Sequence, residues 1–107
     1  MSPDPSPDLL GTIVAHVRNA KARGLVVRLG RLGVQHVHGE WRPLDTEVDL
    51  VGALVLDRHE SGDPRRLAAL VLGVSPSYLH ELELGFDGYL VRGEAGELGR
   101  QARGLCS

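Results

Sequence analysis

Two proline-led helix starts bracket one short apolar segment, and no other feature constrains the fold as strongly. "DPRRLAALVLG" places Asp63 as an N-cap and Pro64 at the first helical position, and "SPSYLHELELG" repeats the device with Ser75 and Pro76. Proline there sacrifices no hydrogen bond, because the first N–H groups of a helix have no partner within it, and its fixed φ suits the helix. Gly73 is suited to end the first of the two helices. In the second, Leu79, Leu82, Phe86 and Tyr89 or Leu90 recur at spacings of three and four. That helix is expected to run on through Gly85 and Gly88, at about 1 kcal/mol per glycine relative to Ala.

Upstream, "LLGTIVAHVRNAKARG" carries the stripe Leu10, Ile13, Val14, Val17 and Lys21 behind an expected N-cap at Asp8. Gly24 is placed as its C′ residue. The next stretch is rich in β-branched residues and is broken by Gly30, Gly33 and Gly39. It reads as an antiparallel β-meander over about 25–30, 33–37 and 40–44, with His38-Gly39 as a hairpin turn. Trp41 is expected to lie against the first helix, because a sheet this small needs a helix over one face. Asp45 or Thr46 is expected to start a helix bearing Leu50, Val51, Leu54 and Val55. The fold class is therefore α+β: an N-terminal helix, a small meander, then a helical bundle with a helix-turn-helix-like pair. The expected organisation is a disordered leader over 1–7 and one domain over 8–107. Within that domain, 8–44 is helix plus meander, 45–92 is helical, and 93–107 is a weak C-terminal tail.

The 107 residues include 42% apolar side chains and only four aromatics, so the core must be built from Leu, Val and Ala. The formal net charge of −2 argues against a broad phosphate-binding surface, which rests on clustered Lys and Arg. Cys106 has no second cysteine to pair with. No run approaches the ~18 apolar residues of a membrane span. "MSPDPSPDLL" has no basic start followed by a long apolar stretch, so a secretory signal is not expected and a cytoplasmic location is.

Ala69 where two helices would cross, Gly73 in a tight turn, and Val74, Leu79 and Leu82 on the inner side form a helix-turn-helix pattern, with Ser75 as cap. Over about residues 50–85 the chain resembles the helix-turn-helix of lambda-repressor-like (Cro/C1-type) proteins. Leu54, Arg58 and Gly62 fall where that family tends to carry Leu, Arg and Gly. The resemblance implies a candidate recognition surface at Ser77, His80 and Glu81, next to Pro76. It makes Arg65 and Arg66 the candidate phosphate contacts. Against a DNA role, Glu81 and Glu83 are anionic and no Lys or Arg stands between Arg66 and Arg92.

Other clusters weigh less. His36 and His38 share one face of a strand but lack a third metal ligand, and His38 sits in the expected turn. Asp57, His59, Glu60 and Asp63 gather at a helix boundary without a nucleophile nearby. Gly30-Arg31-Leu32-Gly33 lacks the Gly-Lys-Ser/Thr ending of a phosphate loop. No catalytic residues, metal or cofactor are expected. Residues 16–42 are basic, with only Glu40 opposing them, and residues 45–87 are mainly acidic. The asymmetry allows the two parts, or two copies of the chain, to attract each other. The favoured reading is a small non-enzymatic regulatory or accessory module that binds another protein or itself, and the alternative is a DNA-binding transcriptional regulator.

Overall fold

The computed structural model describes residues 6–28 and 30–106. The expected leader therefore falls mostly outside the described residues. Helix α1 spans Ser6–Ala22, so Asp8 lies in its first turn and is not its N-cap. Leu9, Ile13, Val14, Val17 and Ala20 are buried along one side. Leu10 is only half-buried and Lys21 is exposed, which rotates the expected stripe by a small step. The end of α1 follows the sequence: Gly24 N donates to Lys21 O and Leu25 N to Ala20 O, both at 3.0 Å. This is the paired closure of a Schellman motif.

The architecture is α+β, with the strands arranged in two small pairs. β2 (Val34–Val37) and β3 (Glu40–Pro43) form the expected antiparallel hairpin, with Val34 opposite Pro43 and His36 opposite Trp41. His38 and Gly39 both have positive φ at its tip. The expected first strand of the meander does not join them. Instead, β1 (Val26–Val27) pairs in parallel with β4 (Glu47–Val48). The cause lies at Gly33, whose backbone passes so close to β4 that a Cβ there would stand 2.0 Å from the Glu47 carbonyl oxygen. Residues 47–48, expected in a helix, are consequently extended, and Val48 is fully buried. The helix behind them starts later than expected. α2 (Leu50–Val55) is capped by Asp49, whose Oδ1 accepts from Gly52 N at 2.7 Å, and not by Asp45 or Thr46. All six α2 residues are buried, as a short helix apolar on every side must be.

Trp41 is buried, and its partners belong to the link after α2. Its Nε1 donates to Glu60 O at 2.7 Å, and its backbone exchanges hydrogen bonds with Asp57 and Arg58. The edge of its ring meets His36 at 5.4 Å.

α3 (Pro64–Leu72) and α4 (Pro76–Phe86) follow, and then α5 (Glu94–Cys106). α4 continues through Gly85 but stops at Phe86, because Asp87 caps it and Gly88 turns left-handed. Tyr89 and Leu90, expected on its apolar stripe, are exposed in the loop. The larger departure is α5, which sequence reading leaves as a weak tail. It is a full helix that buries Ala95, Gly96, Leu98, Gly99, Ala102 and Cys106. Its glycines form a contact surface. A Cβ on Gly99 would stand 2.2 Å from Leu82 O and 2.6 Å from Phe86 N, and one on Gly85 would stand 2.1 Å from Gly96 O. The backbones of α4 and α5 thus touch directly, and that packing outweighs the weak helix propensity of glycine.

Two alanine substitutions within α5 separate these effects. Gly99→Ala should lose about 2–3 kcal/mol, because the new methyl meets backbone that cannot yield. Gly104→Ala, where nothing lies within 4 Å, should gain about 0.5–1 kcal/mol from propensity alone. Denaturant midpoints of the two variants should therefore move in opposite directions.

Candidate recognition surface of the helix pair

The α3–α4 pair is built from local signals. Asp63 Oδ1 accepts from Arg65 N at 3.0 Å, and Pro64 opens α3. Gly73, at φ 72°, closes it: its N–H donates to Leu70 O at 3.1 Å, and Val74 N donates to Ala69 O at 3.0 Å. Only glycine takes that conformation without strain. Ser75 Oγ then accepts from Tyr78 N at 3.1 Å and starts α4. Leu79 and Leu82 are fully buried, and Ala69 is buried at 3% exposure. Ala68, on the neighbouring position, is buried as well. Enlarging either alanine would therefore crowd the core, and Ala69 alone does not set the contact.

The periodicity of α4 turns Ser77, His80 and Glu81 outward, and all three are exposed. They share one face, at spacings of three and four. The two arginines differ in state. Arg65 is committed within the molecule, because its Nη2 donates to Glu83 Oε1 and forms a salt bridge with it. Glu83 is itself buried at 4% exposure. Arg66 is exposed and makes no ion pair with a described residue. One turn further along α3, Leu70 is 73% exposed. A shallow groove of about 400 Å³ runs beside it, lined in part by Arg58, Asp63, Arg66 and Val71.

Glu83 also acts on Asp49, the cap of α2. Burial raises the Asp49 pKa above the usual aspartate value, and the Glu83 carboxylate raises it further, while the Gly52 hydrogen bond and Arg65 pull it down. Tyr78 joins the starts of α4 and α5 through its hydroxyl, which donates to Glu94 Oε2 at 3.0 Å. Partial burial and that carboxylate push the phenol up to about 12.

The other clusters are absorbed into structure. His36 Nε2 donates to His59 O at 2.7 Å, and His59 Nδ1 to Gly39 O at 3.2 Å, so both imidazoles tie the hairpin to the link after α2. Asp57 pairs with Arg23. Glu60 pairs with Arg58 at 2.7 Å, and this hydrogen bond holds its carboxyl below the usual glutamate value. Among the described residues, no group of three or more His, Cys, Asp or Glu side chains is placed to hold a metal ion. No described helix is long and apolar enough to cross a membrane.

Sequence reasoning missed the Arg65–Glu83 pair, and the only available hint was that Glu83 shares the α4 side of Leu79 and Phe86. It placed Lys21 in the basic first third but missed that α5 brings Arg103 to the same hollow. No protein-family model matches the chain, and neither a curated protein nor a solved structure matches it.

Two predictions separate structural from surface charges. Arg65→Ala should cost about 2 kcal/mol, since it leaves Glu83 buried and uncompensated, which is less than the roughly 3–5 kcal/mol of a fully buried pair because Arg65 is partly in water. Arg66→Ala should stay within about 0.5 kcal/mol. Chemical denaturation of both variants checks this contrast.

A further prediction concerns pH. An acid with a raised folded pKa binds its proton more tightly when folded. Its contribution to stability is complete below the ordinary aspartate value and is lost as pH rises through the raised value. Asp49→Asn keeps a good cap without the charge. It should flatten that limb of the stability profile and leave the variant at least as stable as the parent at pH 7. Asp49→Ala should cost about 1 kcal/mol. Thermal melts across pH 3–7 read both effects.

Proposed function

We propose that this chain is a small non-enzymatic regulatory or accessory module that acts by contact with another protein, and that the α3–α4 pair supplies its contact surface. One observation carries this reading. Arg65, one of the two candidate phosphate contacts, is bound to the buried Glu83, while the outward face of α4 presents Ser77, His80 and Glu81 with no Lys or Arg among them. A surface that grips DNA needs several cations aimed at phosphates, and here Arg66 is what remains at the start of α3. Arginine is enriched at protein interfaces, and one turn from Arg66 the exposed Leu70 offers apolar area that a partner protein would remove from water. Self-association is the simplest form of the contact. It requires one patch to complement itself, and the groove beside Leu70 carries Arg66 and Asp63 together.

The second reading is a DNA-binding regulator of the lambda-repressor-like type. It is favoured by the three-residue turn and by the capped start of α4, which leaves Ser77 and His80 outward, as a recognition helix requires.

Two measurements on the purified chain choose between these readings. Fluorescence anisotropy with mixed-sequence duplexes should show no binding at micromolar protein and moderate salt. Sedimentation velocity should show reversible self-association that Leu70→Glu weakens about tenfold or more. A monomer at all concentrations would remove self-association. Saturable duplex binding that falls steeply with salt and is lost on changing Ser77 and His80 would establish the DNA reading instead.

A further inference from the structure

A hollow of about 270 Å³ opens between α1, β1, α4 and α5, away from the α3–α4 surface. Val17, Val27 and Phe86 contribute apolar wall, and Cys106 lies at the α5 end. Lys21 and Arg103 also line it, and among its described lining residues there is no carboxylate. Lys21 has a fixed place, because its ammonium donates one of its three hydrogens to the Cys106 carbonyl oxygen. No described carboxylate pairs with it. Arg103 spreads its guanidinium over the Phe86 ring, 5.4 Å from the centroid, and its Nη1 donates to Phe86 O at 3.2 Å. Arg18 adds positive charge just outside, where its Nη2 donates to Leu105 O at 3.1 Å. The partial charge at a helix C-terminus is only about half an elementary charge. Arg18 and Lys21 together exceed it, so the described groups at this end leave positive charge over for an anion.

We propose that the hollow binds a small monocarboxylate with an apolar body, its carboxylate on Lys21 beside Arg103 and its body on Val26 and Val27. The size follows from the volume: at about 30 Å³ per water-sized group, the space holds about nine non-hydrogen atoms, so a carboxylate of octanoate's size fills it with the end of its chain at the open mouth. The charge follows from the donors. Lys21 offers a point charge next to a carbonyl oxygen, and helix C-terminal carbonyls repel a phosphate dianion more than a singly charged carboxylate. Apolar walls with a few fixed polar groups are the usual make-up of a small-molecule site. This site goes beyond the protein-contact reading and stands or falls without it.

The test uses octanoate, with octan-1-ol as its uncharged counterpart, titrated into the whole chain and followed by amide chemical shifts. Octanoate should bind with a dissociation constant on the order of 0.1–1 mM, as expected for a ligand of this size. The shifts should centre on Val26, Val27 and Cys106, and octan-1-ol should bind at least about tenfold more weakly. Lys21→Met should lose about tenfold in octanoate affinity. Arg18→Met removes a contact to the same end of α5 without lining the hollow, and should lose less than about threefold. Saturating octanoate should also slow alkylation of Cys106 by iodoacetamide in the unmodified chain, which keeps the test valid if Lys21→Met fails to fold. Equal binding of octanoate and octan-1-ol, shifts centred elsewhere, undiminished binding by folded Lys21→Met, or unchanged Cys106 alkylation would each overturn the proposal.

Discussion

The direct contact between the backbones of α4 and α5 is the constraint on which the rest of the molecule depends. It exists because Gly85, Gly96 and Gly99 present no side chains where the two helices meet. Close approach brings Leu82 and Phe86 of α4 and Leu98 and Ala102 of α5 into one buried cluster with α1. Dispersion attraction falls off quickly with separation, so a methyl-sized gap along such a contact would weaken all of it. α4 in turn fixes α3 through the Gly73 turn, and through Glu83 it reaches the cap of α2. A single helix thus links the C-terminal packing, the candidate surface and the centre of the core.

What the sequence makes legible is what is decided locally. Each capping residue and glycine stop around α3 and α4 acts within four residues of itself; both helix starts and the Gly73 turn stand where the sequence places them, while α4 ends earlier than its apolar spacing suggests. The outward position of Ser77, His80 and Glu81 follows from the helical period in the same way. The missed features are non-local. β1 and β4 are two residues each and carry no pattern of their own, and their pairing depends on Gly33 passing close to Glu47. α5 looked weak because glycine propensity can be read from sequence while the surface that rewards glycine cannot. In retrospect, Ala95, Gly99, Ala102 and Cys106 do form a small-residue stripe at helical spacing. The Arg65–Glu83 pair spans two helices, and no periodicity predicts which arginine turns inward.

The charge asymmetry of the sequence is partly consumed by the fold. Arg23 pairs with Asp57 and Arg28 with Glu47, joining the basic first third to the acidic part. Exposed pairs of this kind contribute about 0–1 kcal/mol each. Their larger effect is on the field outside, because a cation beside a carboxylate attracts a distant polyanion weakly. A reading of nucleic-acid steering from the linear sequence therefore loses part of its force once these pairs are placed.

The division of labour on α4 shows how the candidate surface can sit on an element with so many structural duties. Leu79, Leu82, Glu83, Gly85 and Phe86 are buried and each has a fixed partner or a fixed space. Ser77, His80 and Glu81 bear none of that packing, so changes there alter what the surface meets without altering the helix. Glu83 is the exception, being charged and yet on the inner side. It holds Arg65 against the molecule, so a neutral residue at position 83 would release that arginine to the surface at the start of α3. The same exchange would take one negative charge from the helix pair and lift part of the repulsion on Asp49. The present balance, with Arg65 held inward and Glu81 facing out, is therefore set by a buried carboxylate as much as by the residues on the surface itself.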